Sequence, residues 1–261
     1  MIKLIVTDLD GTLLNDNHEV PPRFWGIAEN LFTKGVKLGI ATGRPYFSIS
    51  EKFGSVMDKI FAISDNGSLV THENKVLMSK PLPQSAITEL VTTARTINDA
   101  WPVLCGTDQW YIEDASDTLI ESILVYHKKL AVVDDLTKVS EPVLKVSVYD
   151  LKGAEQNSYP HYKHLASRLK IAAGAAMWLD ITRNDANKGA AVTRLQELYG
   201  ISPDETLVFG DFMNDYEMMQ TARYSYAMKN ATPAIIQTAN YVTEKDNNDA
   251  GILEVIEALC F

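Results

Sequence analysis

The chain has 261 residues, 46% of them hydrophobic, enough to bury one large core or two moderate ones and too apolar for a disordered chain. Its formal net charge of -10, with no Lys/Arg-rich block, argues against a nucleic-acid backbone as partner but leaves small anions open, because local positive charge can dominate a cleft. Two cysteines, Cys105 and Cys260, match no metal spacing or disulfide framework, and with no basic leader and no run near the roughly 20 apolar residues of a membrane span, a cytoplasmic setting is the default.

From the amino end, strand-like and helical runs alternate: strand 2–7, helix near 22–34, strand 36–41, helix near 46–54, strand 59–64. This alternation predicts an α/β fold with a doubly wound, Rossmann-like parallel sheet. The first strand delivers Asp8 and Asp10 into a glycine turn. Side chains alternate along extended backbone, so the two acids share a face while Leu9 points elsewhere. Adjacent carboxylates repel unless a divalent cation or a bound proton resolves them; the plainer reading is an Asp-Gly strand end. The 36–41 run ends in Thr42-Gly43-Arg44-Pro45, which offers a hydroxyl, a backbone amide and a fixed charge to phosphate oxygens, although the same tetrapeptide is also an ordinary turn. Tyr46-Phe47 is expected to seat the next helix on the sheet. Asn66-Gly67 then offers a two-residue hairpin turn into 68–71.

Lys80-Pro81-Leu82-Pro83 breaks the pattern as a linker. Beyond it come a helix near 84–97, strands 101–105 and 109–113, a helical stretch near 117–127, and strands 143–149 and 177–182, the texture of an α+β domain with an antiparallel sheet. His161 and His164, with Tyr162 between them, read as a solvated helical face. From Asn187 the alternation returns, with helix 188–199, strand 206–210, helix 215–222, strand 224–227, and short strand and helix signals near 240–243 and 250–258. The simplest organisation is a discontinuous core, 1–81 and 184–261, interrupted by an inserted α+β cap, 82–183, of roughly 100 residues, a size that supports its own core.

Two features of the returning segment carry chemistry. Lys188 sits at a helix start, where the dipole disfavours a cation, so it is either thrown into solvent or held against anions. Gly210-Asp211-Phe212-Met213-Asn214-Asp215 follows a buried-type strand, and Asp211 repeats the situation of Asp8. Asp215 reads equally as an N-cap and Asn214 as a turn former. Open parallel sheets place ligands beyond the carboxyl ends of their strands where strand order reverses, so Asp8, Thr42 and Asp211 are expected to converge.

The ordered set of aspartate pair, threonine, lysine and Gly-Asp-x-x-Asn-Asp resembles the haloacid dehalogenase superfamily of phosphohydrolases. Its form is most similar to the Cof-type group (subfamily IIB), whose signatures Ala41-Thr42-Gly43-Arg44-Pro45 and Ser64-Asp65-Asn66-Gly67-Ser68 resemble. Phe212 and Met213 stand where relatives often carry glycine or smaller polar residues. The resemblance implies a Mg²⁺-dependent phosphatase of small phosphorylated metabolites acting through an aspartyl-phosphate. In that scheme Asp8 is the nucleophile and Asp10 the general acid and base. Magnesium is held by Asp8, the Asp10 backbone carbonyl and Asp211. Thr42, the Gly43 and Leu9 amides, Arg44 and Asn214 position phosphate, Lys188 offsets its charge, and Asp215 supports.

The insert is expected to act as a lid that sets substrate choice, with Trp110, Tyr111, His164, Trp178 and Arg183 as conceivable contacts, each of them more often a core or surface residue. Two rival functions are a phosphomutase of the same superfamily and a non-catalytic α/β module binding a nucleotide or anion. The second is weakened because no Gly-x-Gly-x-x-Gly follows the first strand. The partner expected is a small phosphorylated substrate, neither nucleic acid nor membrane, with monomer and homodimer both open.

Overall fold

The computed structural model of the protein describes residues 1–114, 116–124 and 129–261. In chain order, β1 (Leu4–Asp8), α1 (Arg23–Thr33), β2 (Lys37–Ala41), α2 (Tyr46–Phe53) and β3 (Ile60–Ser64) realise the expected alternation. β4 (Leu69–His72) runs antiparallel to β3, and β5 (Lys75–Ser79) follows it. Ser64 pairs with Leu69, so the hairpin loop is 65–68 rather than a two-residue Asn66-Gly67 turn. The Asp65 and Asn66 N–H groups donate instead to the Arg44 and Thr42 carbonyls, and this ties the loop to the end of β2. β5 is absent from the sequence expectation because its half-exposed residues carry no apolar alternation.

The chain then enters α3 (Gln84–Ala94), β6 (Ala100–Gly106), β7 (Trp110–Ile112), α4 (Asp117–Leu124), β8 (Leu130–Val132), β9 (Val143–Asp150), α5 (Tyr159–Tyr162), β10 (Leu169–Ala175) and β11 (Trp178–Arg183). Residues 125–127 of the expected helical stretch lie outside the described residues. These strands form one six-stranded sheet in the order β10-β11-β9-β6-β7-β8, antiparallel except for the β7–β8 pair. β10 reads poorly as a strand because it is rich in alanine, and pairing along β11 overrides that propensity. His161 and His164 are exposed as expected. Tyr162 is not part of that solvated face: it is fully buried, with its hydroxyl donating to the Leu90 carbonyl at 3.0 Å.

The last segment supplies α6 (Lys188–Tyr199), β12 (Thr206–Gly210), α7 (Tyr216–Met219), β13 (Tyr224–Ala227), α8 (Pro233–Thr238), β14 (Tyr241–Val242) and α9 (Gly251–Cys260). α7 is shorter than the helix expected over 215–222. The second sheet has eight strands in the order β14-β13-β12-β1-β2-β3-β4-β5, parallel from β14 to β3. By contacts the chain divides into two compact units, Met1–Met78 with Ala186–Phe261, and Ser79–Asp185. Among the described residues no helix is long and apolar enough to cross a membrane.

β1, β3 and β12 are buried along their whole lengths, which is why each reads as a continuous apolar run rather than an alternating one. Burying each Leu, Ile or Val side chain of these strands contributes about 1.5–3 kcal/mol, so their positions are firmly fixed. β1 lies between β12 and β2 with Leu4 level with Thr206 on one side and Lys37 on the other. Strand order reverses there, and the carboxyl ends of β1, β2, β3 and β12 open on one crevice.

Candidate active site

Asp8 closes β1, and its side chain is almost entirely buried. Lys188 opens α6, whose N-cap is Asn187, the Oδ1 of which accepts from the Ala190 N–H at 2.8 Å. The lysine is fully buried; its Nζ donates to Asp8 Oδ1 at 2.5 Å and to Asp215 Oδ1 at 2.7 Å. Of the two fates open to a lysine at that position, the anionic one holds. Asp215 is not a side-chain N-cap: its Oδ2 accepts from the N–H groups of Asp211 and Phe212, at 3.0 and 3.2 Å, closing the turn after β12. Asp211 Oδ1 accepts from the Thr12 hydroxyl at 3.0 Å. Gly11 (φ +76°) lies so close that a Cβ there would stand 2.4 Å from Asp211 Oδ2.

Asp8, Asp211 and Asp215 each bring an oxygen within 4.8 Å of the others. Three carboxylates around one ammonium leave excess negative charge in a dry place. Burial pushes the Asp8 carboxyl well up, and Asp215 and Asp211 add to this while Lys188 opposes it. Burial, then Asp215, raises Asp211 to about 6. Burial works against charge on Lys188, but Asp215 and Asp8 together outweigh it and hold the ammonium protonated. An all-oxygen donor set with surplus negative charge fits a hard divalent cation. Asp215 has both oxygens engaged by Lys188 and backbone, whereas Asp8 and Asp211 each keep one oxygen outside those bonds.

On the other side of Asp8, Thr42 follows β2 and its hydroxyl accepts from the Arg44 N–H at 3.1 Å. Arg44 turns its guanidinium onto Asp10, with Nε to Oδ2 at 2.8 Å and Nη2 to Oδ1 at 2.5 Å. The fork therefore engages the candidate acid. His18 Nδ1 lies 3.2 Å from the same Asp10 oxygen. The Leu9 carbonyl accepts from the Thr12 and Leu14 N–H groups and so shapes the loop that carries Asp10. Asn214 Nδ2 donates to Asn66 Oδ1 at 3.0 Å, and the Asn66 amide lies against Gly43. Asp8, Asp10, Thr42, Gly43, Arg44, Lys188, Asp211, Asn214 and Asp215 thus come together by a continuous set of contacts. Thr12, His18 and Asn66 belong to the same set and were not among the expected site residues. Thr12 ends the Asp-x-Asp-Gly-Thr run, and Asn66 lies in a quoted signature, so both had a signal in the sequence; His18 had none.

The residues suggested for the insert occupy dissimilar places. Trp110 and Trp178 pack with Val103, Cys105 and Tyr149 on one face of their sheet, while Tyr111 is buried with Leu104 and Val146 on the other. Arg183 forks Asp185, with distances of 2.8 and 3.0 Å, and His164 is exposed.

Residues 5–256 match the family model of the haloacid dehalogenase-like hydrolases. The chain belongs to that family. It is 28% identical over 266 residues to the 5-amino-6-(5-phospho-D-ribitylamino)uracil phosphatase of Escherichia coli (strain K12), covering 98% of this chain and 95% of that protein. A solved structure from Eubacterium rectale superposes with a TM-score of 0.91 at 26% identity, covering 99% of each chain. A subclass IIB sugar phosphatase of the family shares the fold, with a TM-score of 0.79 at 20% identity and 98% of each chain covered. This is the Cof-type, phosphatase class of hydrolase that the sequence motifs resemble.

Proposed function

We propose that this protein is a Mg²⁺-dependent phosphatase of small phosphorylated metabolites that works through an aspartyl-phosphate. The observation that carries the reading is the cluster of Asp8, Asp211 and Asp215 at the carboxyl ends of the central strands, with buried Lys188 bonded to Asp8 and Asp215. Asp8 attacks phosphorus with the oxygen that Lys188 does not hold, forming an acyl-phosphate as the ester P–O bond breaks. Asp10 gives its proton to the departing oxygen, then takes one from the water that cleaves the acyl-phosphate and restores Asp8. Arg44 donates to both oxygens of Asp10 and so fixes the orientation of that side chain. Thr42, the Gly43 and Leu9 amides and Asn214 orient the phosphoryl oxygens, and Lys188 offsets their charge while Asp215 keeps it in place. Magnesium would be held by Asp8, the Asp10 carbonyl oxygen and Asp211; when bound it neutralises carboxylate and phosphate charge and favours ionised Asp8.

The substrate class is a sugar phosphate, nucleotide or cofactor phosphate. A cytoplasmic setting belongs to the same proposal, consistent with two cysteines, Cys105 and Cys260, that form no disulfide. The test is phosphate release from a panel of these esters, including a phosphorylated ribitylaminopyrimidine of the kind the Escherichia coli relative's name specifies. Release with Mg²⁺ that stops with chelator supports the reading. No release from any ester in the panel removes it.

A further inference from the structure

The reaction above gives no part to the turn at 64–68. Asp65 (φ 49°), Asn66 (φ 53°) and Gly67 (φ 87°) all lie in the left-handed region. Such backbone is unfavourable for residues with a Cβ, and a run of it persists where surrounding structure imposes it. Three neighbours do so here. Asp65 N–H donates to the Arg44 carbonyl at 3.0 Å and Asn66 N–H to the Thr42 carbonyl at 2.9 Å, which fastens the turn to the loop after β2. A Cβ on Gly67 would stand 2.2 Å from the Asn187 carbonyl, so the turn is pressed against the residue before Lys188. Asn66 Oδ1 accepts from Asn214 Nδ2 at 3.0 Å, which joins the loop after β12. The hydroxyls of Ser64 and Ser68, fully buried at either side, find no partner among the described residues. Polar groups left unpaired around strained backbone mark a segment shaped for something other than its own stability.

The position demands an unusual residue. Asparagine tolerates left-handed backbone and also supplies an acceptor; glycine gives the backbone without the acceptor. We propose that Asn66 is a positioning residue for the phosphoryl group, holding the Asn214 amide in one orientation before the ester binds. This rests on the phosphatase reading, in which Asn214 and Gly43 hold phosphate. With Oδ1 of Asn66 taking one hydrogen of Asn214 Nδ2, the amide of Asn214 is fixed in one orientation and its other hydrogen stays available to an anion. Without that acceptor the amide turns freely, and ordering it falls on the substrate.

The test uses the full chain with Mg²⁺, inorganic phosphate as the binding probe and p-nitrophenyl phosphate for turnover. Asn66→Gly keeps the turn and removes the amide. Its melting temperature should match wild type, while the phosphate dissociation constant and KM rise together by about tenfold, with kcat less affected. A purely structural role would move the melting temperature instead. Because Asn66 acts through Asn214, the double variant Asn66→Gly/Asn214→Ala should bind phosphate no more weakly than Asn214→Ala alone. Wild-type phosphate affinity in Asn66→Gly, or additive losses in the double variant, overturns the proposal. Should Asn66→Gly melt early, Asn66→Asp serves, since it keeps the acceptor: Asn214→Ala must then weaken phosphate by its wild-type factor in that background, and loss of that factor overturns the proposal. Failure of the phosphatase reading looks different, namely no Mg²⁺-dependent release by wild type, while phosphate binding still reports on Asn66.

Discussion

Lys188 Nζ lies 2.5 Å from Asp8 Oδ1, although 180 residues separate the two in sequence. Both are buried, and both stand where their surroundings oppose charge: the lysine at the positive end of a helix, the aspartate in a dry strand end. Each makes the other tolerable, and the second carboxylate, Asp215, holds the lysine from the far side. The pair joins the two halves of the discontinuous core unit at the point where the phosphoryl group is proposed to sit.

Lys188→Met keeps the aliphatic stem and deletes the ammonium. Turnover of an aryl phosphate should fall about 10²-fold or more, since the charge of the phosphoryl group loses its nearest fixed cation. Stability should fall too, by about 3–5 kcal/mol, because a buried ion pair is broken on one side. The loss depends on pH. Asp8 already has a raised carboxyl, and losing Lys188 raises it further; a raised carboxyl stabilises at low pH and forfeits that as pH climbs through its folded value. Thermal melts at pH 5 and pH 8 check this. Equal destabilisation at both would contradict the picture.

Asp211 gives a second pH dependence. Its carboxyl is pushed from 3.8 up to about 6 by burial and by Asp215. The stability it contributes is complete below 3.8 and disappears as pH rises through about 6. A cation that neutralises the ionised group restores what is lost, so magnesium should raise the melting temperature little at pH 5 and much more at pH 7.5. Melts with Mg²⁺ and with chelator at the two pH values decide the matter; a shift independent of pH would remove Asp211 from the metal site.

Gly11 tests the cradle without replacing a titrating group. Alanine there meets Asp211 Oδ2 at 2.4 Å and takes a left-handed φ of +76°. Either strain moves the Asp211 carboxylate. Gly11→Ala should weaken magnesium by about 10-fold or more and lower kcat in proportion, since small displacements of a ligand set cost heavily. Magnesium titration followed by melting temperature reads the affinity without turnover; an unchanged midpoint would show that the loop yields.

Much of this site was legible because its residues sit at the carboxyl ends of strands whose apolar runs announce themselves. β1, β3 and β12 are buried throughout and β2 is buried beyond Lys37, so the places of Asp8, Thr42 and Asp211 followed from strand ends alone. Lys188 was legible for the opposite reason, as a charge in a position that disfavours it. What the sequence concealed depends on pairing. β10 and β8 form because neighbouring strands complete their hydrogen bonds, and their own composition gives little sign. Tyr162 lies between two exposed histidines, yet a short helix turns it inward to Leu90. His18 beside Asp10 depends on a left-handed residue in the loop after β1, which no local pattern signals.

Asp8→Asn separates chemistry from fold. The substitution keeps the shape and one acceptor oxygen but removes the nucleophile, so turnover should be abolished. The fold should not suffer. Asp8 is ionised at neutral pH only against burial and two neighbouring carboxylates, so removing its charge relieves a repulsion that the metal-free protein carries. Lys188 retains Asp215 as counter-charge. Without magnesium, Asp8→Asn should therefore melt at or above the wild-type temperature at pH 8, and the advantage should shrink as pH falls, because Asp211, raised to about 6, takes up a proton and the carboxyl of Asp8 is shifted upward in the same direction. Near wild-type turnover would show that Asp8 is not the nucleophile. An early melt at pH 8 would show that its charge supports the fold.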